Sequence, residues 1–389
     1  MYKFGFQFML ISRATRSIGI IFMTLAAPLY LSAIGLSATV IGFVFFWVMI
    51  FNAALVMGLG ALGDRIGYKP ILLIGEILPT AASALMAFTG NVVFIMLAVI
   101  FGGIGGTSGG MRGSFSPGTT ALIANNWRDD KERLDKLSKI TSIAALFSIF
   151  GSLMLVFHGP LQNVIGSIAA FKLLFLVSAI AMFISFVSLI FVRENERPKK
   201  TTKLMKKSSI SYMKKVIFAN TFNSIGIGVF MPLLPLWLVI MYHANTAQVG
   251  ALFTIAYLFT SLGSYLGGKV RFKLPLASIG GDTRIISGIL VLGMAASPFL
   301  LITAILYSIR QFVIAFGAPI RSAVNVKGVN HEDYGTASSL QGVANRAAQA
   351  SSGISGYLMD SFIIAPPILC GILQIIGGVA YTKLLKKNK

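Results

Sequence analysis

The stretch G-A-L-G-D-R-I-G-Y-K, Gly60 to Lys69, sets an Asp-Arg pair, a lysine and three glycines between two long apolar runs, Ala38 to Leu59 and Pro70 to Thr89. These residue types at this spacing predict a short charged hairpin at a membrane face. Glycine without a Cβ lets helix ends approach a neighbour closely and accepts positive φ in a turn. An Asp ahead of an apolar helix caps its free amides or faces the positive end of a helix dipole. Arg310 is the second residue with chemical potential. It falls about 11 residues into an apolar run, roughly 17 Å at 1.5 Å per residue, near the bilayer midplane. A charge at that depth costs at least about 2.5 to 3.5 kcal/mol, so it faces protein or water and marks a pathway. Arg310 therefore serves either a substrate or relay role, or a structural partnership with Glu76, Asp360 or helix-end carbonyls. Arg112, near the inner end of its run, either snorkels to the interface or joins such a path.

The acids sort by elimination. Asp129, Asp130, Glu132, Asp135, Glu194, Glu196, Glu332 and Asp333 fall in loops, which leaves Asp64 in the hairpin, Glu76 in the third apolar run, Asp282 at an ambiguous boundary, and Asp360 near the end of the eleventh. The eleventh run is also the most polar. Ser338, Gln341, Asn345, Gln349 and Ser352 recur at intervals of three or four, forming one helical face with Arg346 beside it. Either this stripe packs helices through small residues and hydrogen bonds, or it lines a path. Asn220, Asn223 and Ser224 pose the same choice. His158, His243 and His331 are placed in loops, where lone histidines are solvated. No metal-ligand cluster or nucleophile triad is visible, and Gly102 to Gly110 lacks the strand and the Lys-Ser/Thr of a phosphate loop, so it reads as close helix packing. An enzymatic function and a cofactor have no residues to stand on.

The elements that position these residues are membrane spans. Hydrophobic residues make up 56% of the chain and charged residues 12%, and Ile41 to Leu59 carries no charge, which excludes an ordinary soluble domain. Twelve spans are expected at 11–33, 38–60, 70–90, 92–113, 139–158, 168–192, 215–240, 247–268, 284–298, 299–322, 336–359 and 363–385. The ninth has two versions: short, from Arg284 to Pro298, or starting near Pro275 and carrying Asp282 and Arg284 into the bilayer. The net charge of +21 gathers at Lys3, Arg13 and Arg16, Arg65 and Lys69, Arg128 to Lys139, Arg193 to Lys215, Lys269 to Arg284, Lys327, and Lys383 to Lys389. Every second loop is basic, with Lys172 the exception, so both termini are expected in the cytoplasm of a cell-membrane protein. The charge implies contact with lipid head groups and no nucleic acid partner. Cys370 stands alone and makes no internal disulfide, and the first apolar run reads as a retained span.

An internal repeat divides the chain. S-I-G-I-I-F-M-T-L-A-A-P-L-Y-L from Ser17 recurs as S-I-G-I-G-V-F-M-P-L-L-P-L-W-L from Ser224, and a second pair starts at Pro117 and Pro319. Two six-span halves follow, 1–192 and 216–389, joined by the basic linker 193–215.

With spans on both sides, the hairpin resembles the loop signature Gly-x-Leu-Ala-Asp-Arg-x-Gly-Arg-Lys of the major facilitator superfamily. Gly60, Leu62, Asp64, Arg65, Gly67 and Lys69 match, while Gly63 and Tyr68 replace an Ala and an Arg. The second-half copy, Gly267 to Lys273, has no Asp. The resemblance implies an all-α membrane fold of twelve transmembrane helices in two pseudo-symmetric six-helix bundles. It also implies a monomer and a cytoplasmic latch carried by Asp64, Arg65 and Lys69. In that fold the first, fourth, seventh and tenth spans line a central cavity, and none of them here carries an acid. The implied function is secondary active transport by alternating access of a small solute, anionic or polar, with proton coupling open. The chain as a whole is similar to the sugar and drug efflux permeases of the superfamily. Two marks of its drug-proton antiporters are missing: Ile104, Gly105 and Gly106 occupy the depth of their fourth-span arginine, and Ile140 to Phe157 has Gly151 but no proline. A proton-coupled multidrug antiporter and a non-transporting membrane sensor are the alternatives.

Overall fold

A chain crossing hydrocarbon must satisfy its amides internally, and uninterrupted apolar runs do so as α-helices. In a computed structural model of the chain, described for residues 5–104, 115–127, 129–195, 206–269, 275–330 and 333–386, no strand occurs among the described residues. The helices are α1 Phe6–Ala33, α2 Ala38–Ile66, α3 Tyr68–Phe88, α4 Val92–Phe101, α5 Phe115–Asn126, α6 Asp130–Ile165, α7 Ser167–Ile190 and α8 Lys207–Phe230. They continue with α9 Leu234–Tyr242, α10 Thr246–Lys269, α11 Leu276–Ala296, α12 Leu300–Val326, α13 Tyr334–Gln349, α14 Ser352–Ser361 and α15 Ala365–Leu385. Among the described residues, 10 segments are long and apolar enough to cross a membrane. The other two expected spans fall on α4–α5, whose middle lies outside the described residues, and on α13–α14.

Several boundaries depart from expectation for identifiable reasons. The charged hairpin is shorter than Gly60 to Lys69, because α2 runs on through Asp64 and Arg65 to Ile66 and the turn is Gly67 alone. The ninth span takes its longer form: α11 begins at Leu276, leaves Asp282 exposed and buries Arg284. The seventh span breaks where Pro232 and Pro235 withhold amide donors, giving a 3-10 turn over Met231–Leu233 between α8 and α9. The eleventh breaks at Ala350 and Ser351, where Ala350 N–H donates to Ala347 O at 3.2 Å and Ser351 N–H to Ala348 O at 3.3 Å, the tighter spacing of a 3-10 turn.

Gly67 has φ 119° and ψ 152°, a region that only glycine adopts without strain. A Cβ there would lie 3.0 Å from Pro70 Cδ and 3.1 Å from Glu194 Oε2. Glu194 occupies that space because it caps α3, accepting from the amides of Tyr68 at 3.0 Å and Lys69 at 2.9 Å. Gly67→Ala is expected to cost about 1–3 kcal/mol, read as a lowered Tm of the detergent-purified protein. Gly58→Ala, in α2 with no atom within 4 Å of the added methyl, should leave Tm unchanged or slightly raised.

The chain forms two compact units. Residues 1–36, 50–202 and 245–254 make the first, and 37–49, 203–244 and 255–389 the second. In the first, α1 packs on α6 and α7, and α3 packs on α4, α5 and α7. In the second, α8 packs on α13, α14 and α15, and α11 packs on α12 and α15. The two lists match element for element along the repeat, with α1 answering to α8, α3 to α11 and α7 to α15. Each unit has a hydrophobic cluster at comparable ends of its helices. Phe6, Leu72, Ile123, Trp127 and Leu189 belong to the first cluster, and Met213, Val216, Val324, Tyr381 and Leu385 to the second. Close backbone approach fixes the opening of α2 in the second unit: a Cβ on Gly356 would collide with the Ala38 carbonyl.

Candidate functional site

The first unit carries a buried charge cluster where α1 crosses α3. Arg13 and Arg16 are 1% and 3% exposed, which places them inside the unit and corrects their assignment to a basic surface at the membrane face. The physical reason is register: α1 starts at Phe6, so Arg13 and Arg16 stand about 10 and 15 Å along it. Glu76 of α3 is fully buried, and Arg16 forms an ion pair with it. Below the pair, Ser185 of α7 donates to Ser12 O at 3.0 Å, and the two serine hydroxyls lie 2.8 Å apart. Glu76 therefore belongs to α1 rather than to Arg310.

Asp360 is also committed elsewhere. Its Oδ2 accepts from Thr39 N–H at 2.8 Å and Thr39 Oγ1 at 2.6 Å, capping α2 with a carboxylate at the positive end of its dipole.

Arg310, the eleventh residue of α12, is 3% exposed and sits inside the second unit. Its Nη1 donates to Gln311 Oε1 at 3.2 Å, its guanidinium lies 6.0 Å from the Tyr307 ring centroid, and its Nε has no hydrogen-bond partner. Among the described residues no carboxylate pairs with it.

The polar face of α13 is half-buried at Gln341, Asn345, Arg346 and Gln349. Ser224 of α8 donates to Asn345 Oδ1 at 3.2 Å, Ser351 donates to Ile225 O at 2.8 Å, and Arg346 Nη1 donates to its own helix at Gly342 O, 3.2 Å away. The stripe thus packs against α8 and leaves its amides part-exposed. Asn223 keeps a buried Oδ1 without a partner, while Asn220 accepts from Arg284.

Of the hairpin residues, Lys69 donates from Nζ to Ile190 O at 2.7 Å, tying the start of α3 to the end of α7. Gly60 lies within α2, and the side chains of Asp64 and Arg65 lie outside the described residues, as does Arg112. The free amides at the start of α3 are capped by Glu194. His158 is another correction. It is fully buried, because α6 extends past it to Ile165, with Nδ1 2.7 Å from Thr246 Oγ1, Nε2 3.1 Å from Ser167 O and its ring 3.8 Å from Phe171.

Sequence reasoning missed Arg13 and Arg16 as interior groups, did not single out the half-buried Arg321, and placed Arg284 in the bilayer only in one of two versions of the ninth span. The repeat held the signal: counting back from Ser17 and Ser224 sets Arg13 against Asn220 and Arg16 against Asn223, polar residues at one depth in both halves.

Comparison with known proteins follows the same lines. The family model described as Major Facilitator Superfamily matches residues 9–353. The synaptic vesicular amine transporters of Bos taurus and Homo sapiens are each 25% identical over 241 residues, 61% of this chain and 43% of theirs. The match therefore spans less than half the length of those curated relatives. Among solved structures, an auto-inhibited POT family peptide transporter has TM-score 0.78 at 11% identity, covering 99% of this chain and 97% of that one. A bacterial homologue of the human lysosomal transporter Spinster, inward-facing and unoccupied, has TM-score 0.72 at 12% identity, covering 99% and 98%. The human organic anion transporter MFSD10 has TM-score 0.64 at 13% identity, covering 98% and 99%. Likeness at such identities establishes the fold.

Proposed function

The chain belongs to the Major Facilitator Superfamily, and we propose that it is a secondary active transporter moving a small anionic or polar organic solute by alternating access. One observation carries the substrate class. The carboxylates of the spans are committed, buried Glu76 to Arg16 and exposed Asp360 to the start of α2, whereas Arg310 holds a buried cation with an unused Nε and no described carboxylate. A buried charge of this kind is costly unless something transient offsets it. In this reading Arg310 attracts the solute, Arg346 and the amides of Gln341, Asn345 and Gln349 hydrogen-bond it, and two six-helix bundles, 1–192 and 216–389, rock about it on the linker 193–215. The protein works as a monomer in the cell membrane with both termini in the cytoplasm. Proteoliposomes loaded with radiolabelled organic anions, neutral polyols or lipophilic cations test the class: flux of anions supports it, and flux of cations alone overturns it.

Asp64, Arg65 and Lys69, with Gly60 and Gly67, form the latch that biases one state. Asp64→Asn is expected to slow the transport cycle at least about tenfold, the effect of roughly 1.4 kcal/mol in a coupling, with solute Kd unchanged. An equal loss of binding would place Asp64 at the solute instead.

A second reading, proton-coupled exchange of cationic amines or drugs, is favoured by the similarity to vesicular amine transporters. It requires a carboxylate released to the solute. Glu76 is the buried candidate, and an imposed acid-driven gradient that moves cationic dyes but not organic anions in the wild type would select this reading.

A further inference from the structure

The two units treat one place in the repeat with opposite charge. Glu76 is the ninth residue of α3, and Arg284 is the ninth residue of α11, a helix of the same 21-residue length. Around Glu76 the first unit sets two arginines of α1, Arg13 and Arg16. Beside Arg284 the second sets Asn220, the α8 residue that matches Arg13, and a second arginine, Arg321 of α12, lies against the same Tyr381.

The carboxylate that offsets the first cluster has no counterpart among the described residues of the second. Arg284 is 5% exposed, its Cζ lies 4.3 Å over the Tyr381 ring, and Nη2 donates to Asn220 Oδ1. Arg321 is held close by: Nη1 donates to Thr283 Oγ1 at 2.7 Å and Nη2 to Ile314 O at 2.7 Å, while Tyr381 OH donates to the Arg321 carbonyl at 3.3 Å. Both arginines meet the same tyrosine: Arg284 lies over the Tyr381 ring, and Tyr381 Cε1 and Arg321 Cγ both border Gly280. Among the described residues no carboxylate pairs with either. Two donors also remain unspent at the buried end, Arg284 Nε and Asn220 Nδ2, the latter on a residue 2% exposed. A buried arginine without a carboxylate, beside two idle donors, describes a ligand-binding site for an anion, because burial of polar groups is tolerated where each finds a partner.

The occupant must be small. A Cβ at Gly317 would collide with Arg321 Nη1 and Thr283 Oγ1, and one at Gly280 would sit 2.9 Å from the Tyr381 ring. Packing this close excludes an organic acid.

We propose that Arg284, Arg321 and Asn220 form a halide site in the second unit, where bound chloride supplies the negative charge that Glu76 supplies in the first. The site is separate from Arg310 and does not depend on the transported solute.

Thermal melts of the full-length purified protein in sodium chloride and sodium gluconate of equal ionic strength test it. Tm is expected to rise with chloride and saturate, bromide should reproduce the rise, and gluconate should not. Asn220→Asp keeps the size of the side chain and places a carboxylate beside Arg284. Its Tm in gluconate should match or exceed that of the wild type in chloride, and chloride should add nothing. Arg284→Gln should lose the chloride response, whereas Arg310→Gln should keep it. Equal melting of the wild type in the two salts would overturn the proposal. So would an undiminished chloride response in Asn220→Asp, or a response lost only in Arg310→Gln.

Discussion

Glu76→Gln is expected to destabilise the protein by about 3–5 kcal/mol, the cost of leaving one member of a buried ion pair without the other. Glu76 is fully buried and paired with Arg16, and Arg13 stands on the same helix within its field, so the substitution leaves two interior cations facing an amide. The expected readout is a large fall in Tm and in recovery of folded protein. The reciprocal variant Arg16→Gln should cost less, because Arg13 remains to offset the carboxylate. The double variant Arg16→Met, Glu76→Met separates the worth of the pair from the cost of breaking it. Replacing both ions by apolar groups of similar length is often neutral or stabilising, so the double variant should be more stable than Glu76→Gln. A double variant as damaged as the single one would assign the cost to packing at the α1–α3 crossing rather than to charge.

Arg310→Gln is the second large effect, and it should separate binding from folding. Removing a desolvated charge partner costs about 2–5 kcal/mol of affinity, at least roughly 30-fold in Kd for an anionic solute. Stability should be preserved or improved in the absence of solute. Gln keeps a hydrogen-bonding head for Gln311, and no described carboxylate is left behind. Scintillation binding and Tm, measured on one preparation, give the two readouts. Loss of affinity with Tm retained is the predicted combination. The opposite pattern, affinity retained with Tm lowered, would make Arg310 a packing residue of the second unit.

Much of the fold was legible because hydrocarbon leaves few options. Span positions followed from length and hydropathy, and the repeat announced the matched packing of α1 with α7 and of α8 with α15. The Gly60 to Lys69 signature marked the right turn, yet its extent was misjudged: polar residues can continue a helix, and the chain reverses at the one position whose φ demands glycine, Gly67. The interior arginines were harder. Arg13 and Arg16 sit near a basic N-terminus, and charge counting by loops cannot tell a cation at the membrane face from one several turns inside a helix whose first residue is Phe6. Arg284 was legible only as one of two alternatives. Glu194 looked like one loop acid among eight, and its capping of Tyr68 and Lys69, 126 and 125 residues away in the chain, is a tertiary relation that no local pattern announces. His158 was misplaced for the same reason that α6 was drawn short: the fifth span was ended at 158, but the helix carries Pro160 within it and runs on to Ile165.

The most direct measurement of the central claim is a thermal-stability screen of detergent-purified wild type and Arg310→Gln against anionic, neutral and cationic organic solutes. A ligand held at 100 times its Kd adds about 2.7 kcal/mol of stability. The account predicts that organic anions raise the Tm of the wild type and that Arg310→Gln abolishes the rise without lowering the ligand-free Tm. Stabilisation by lipophilic cations, retained in Arg310→Gln, would contradict it.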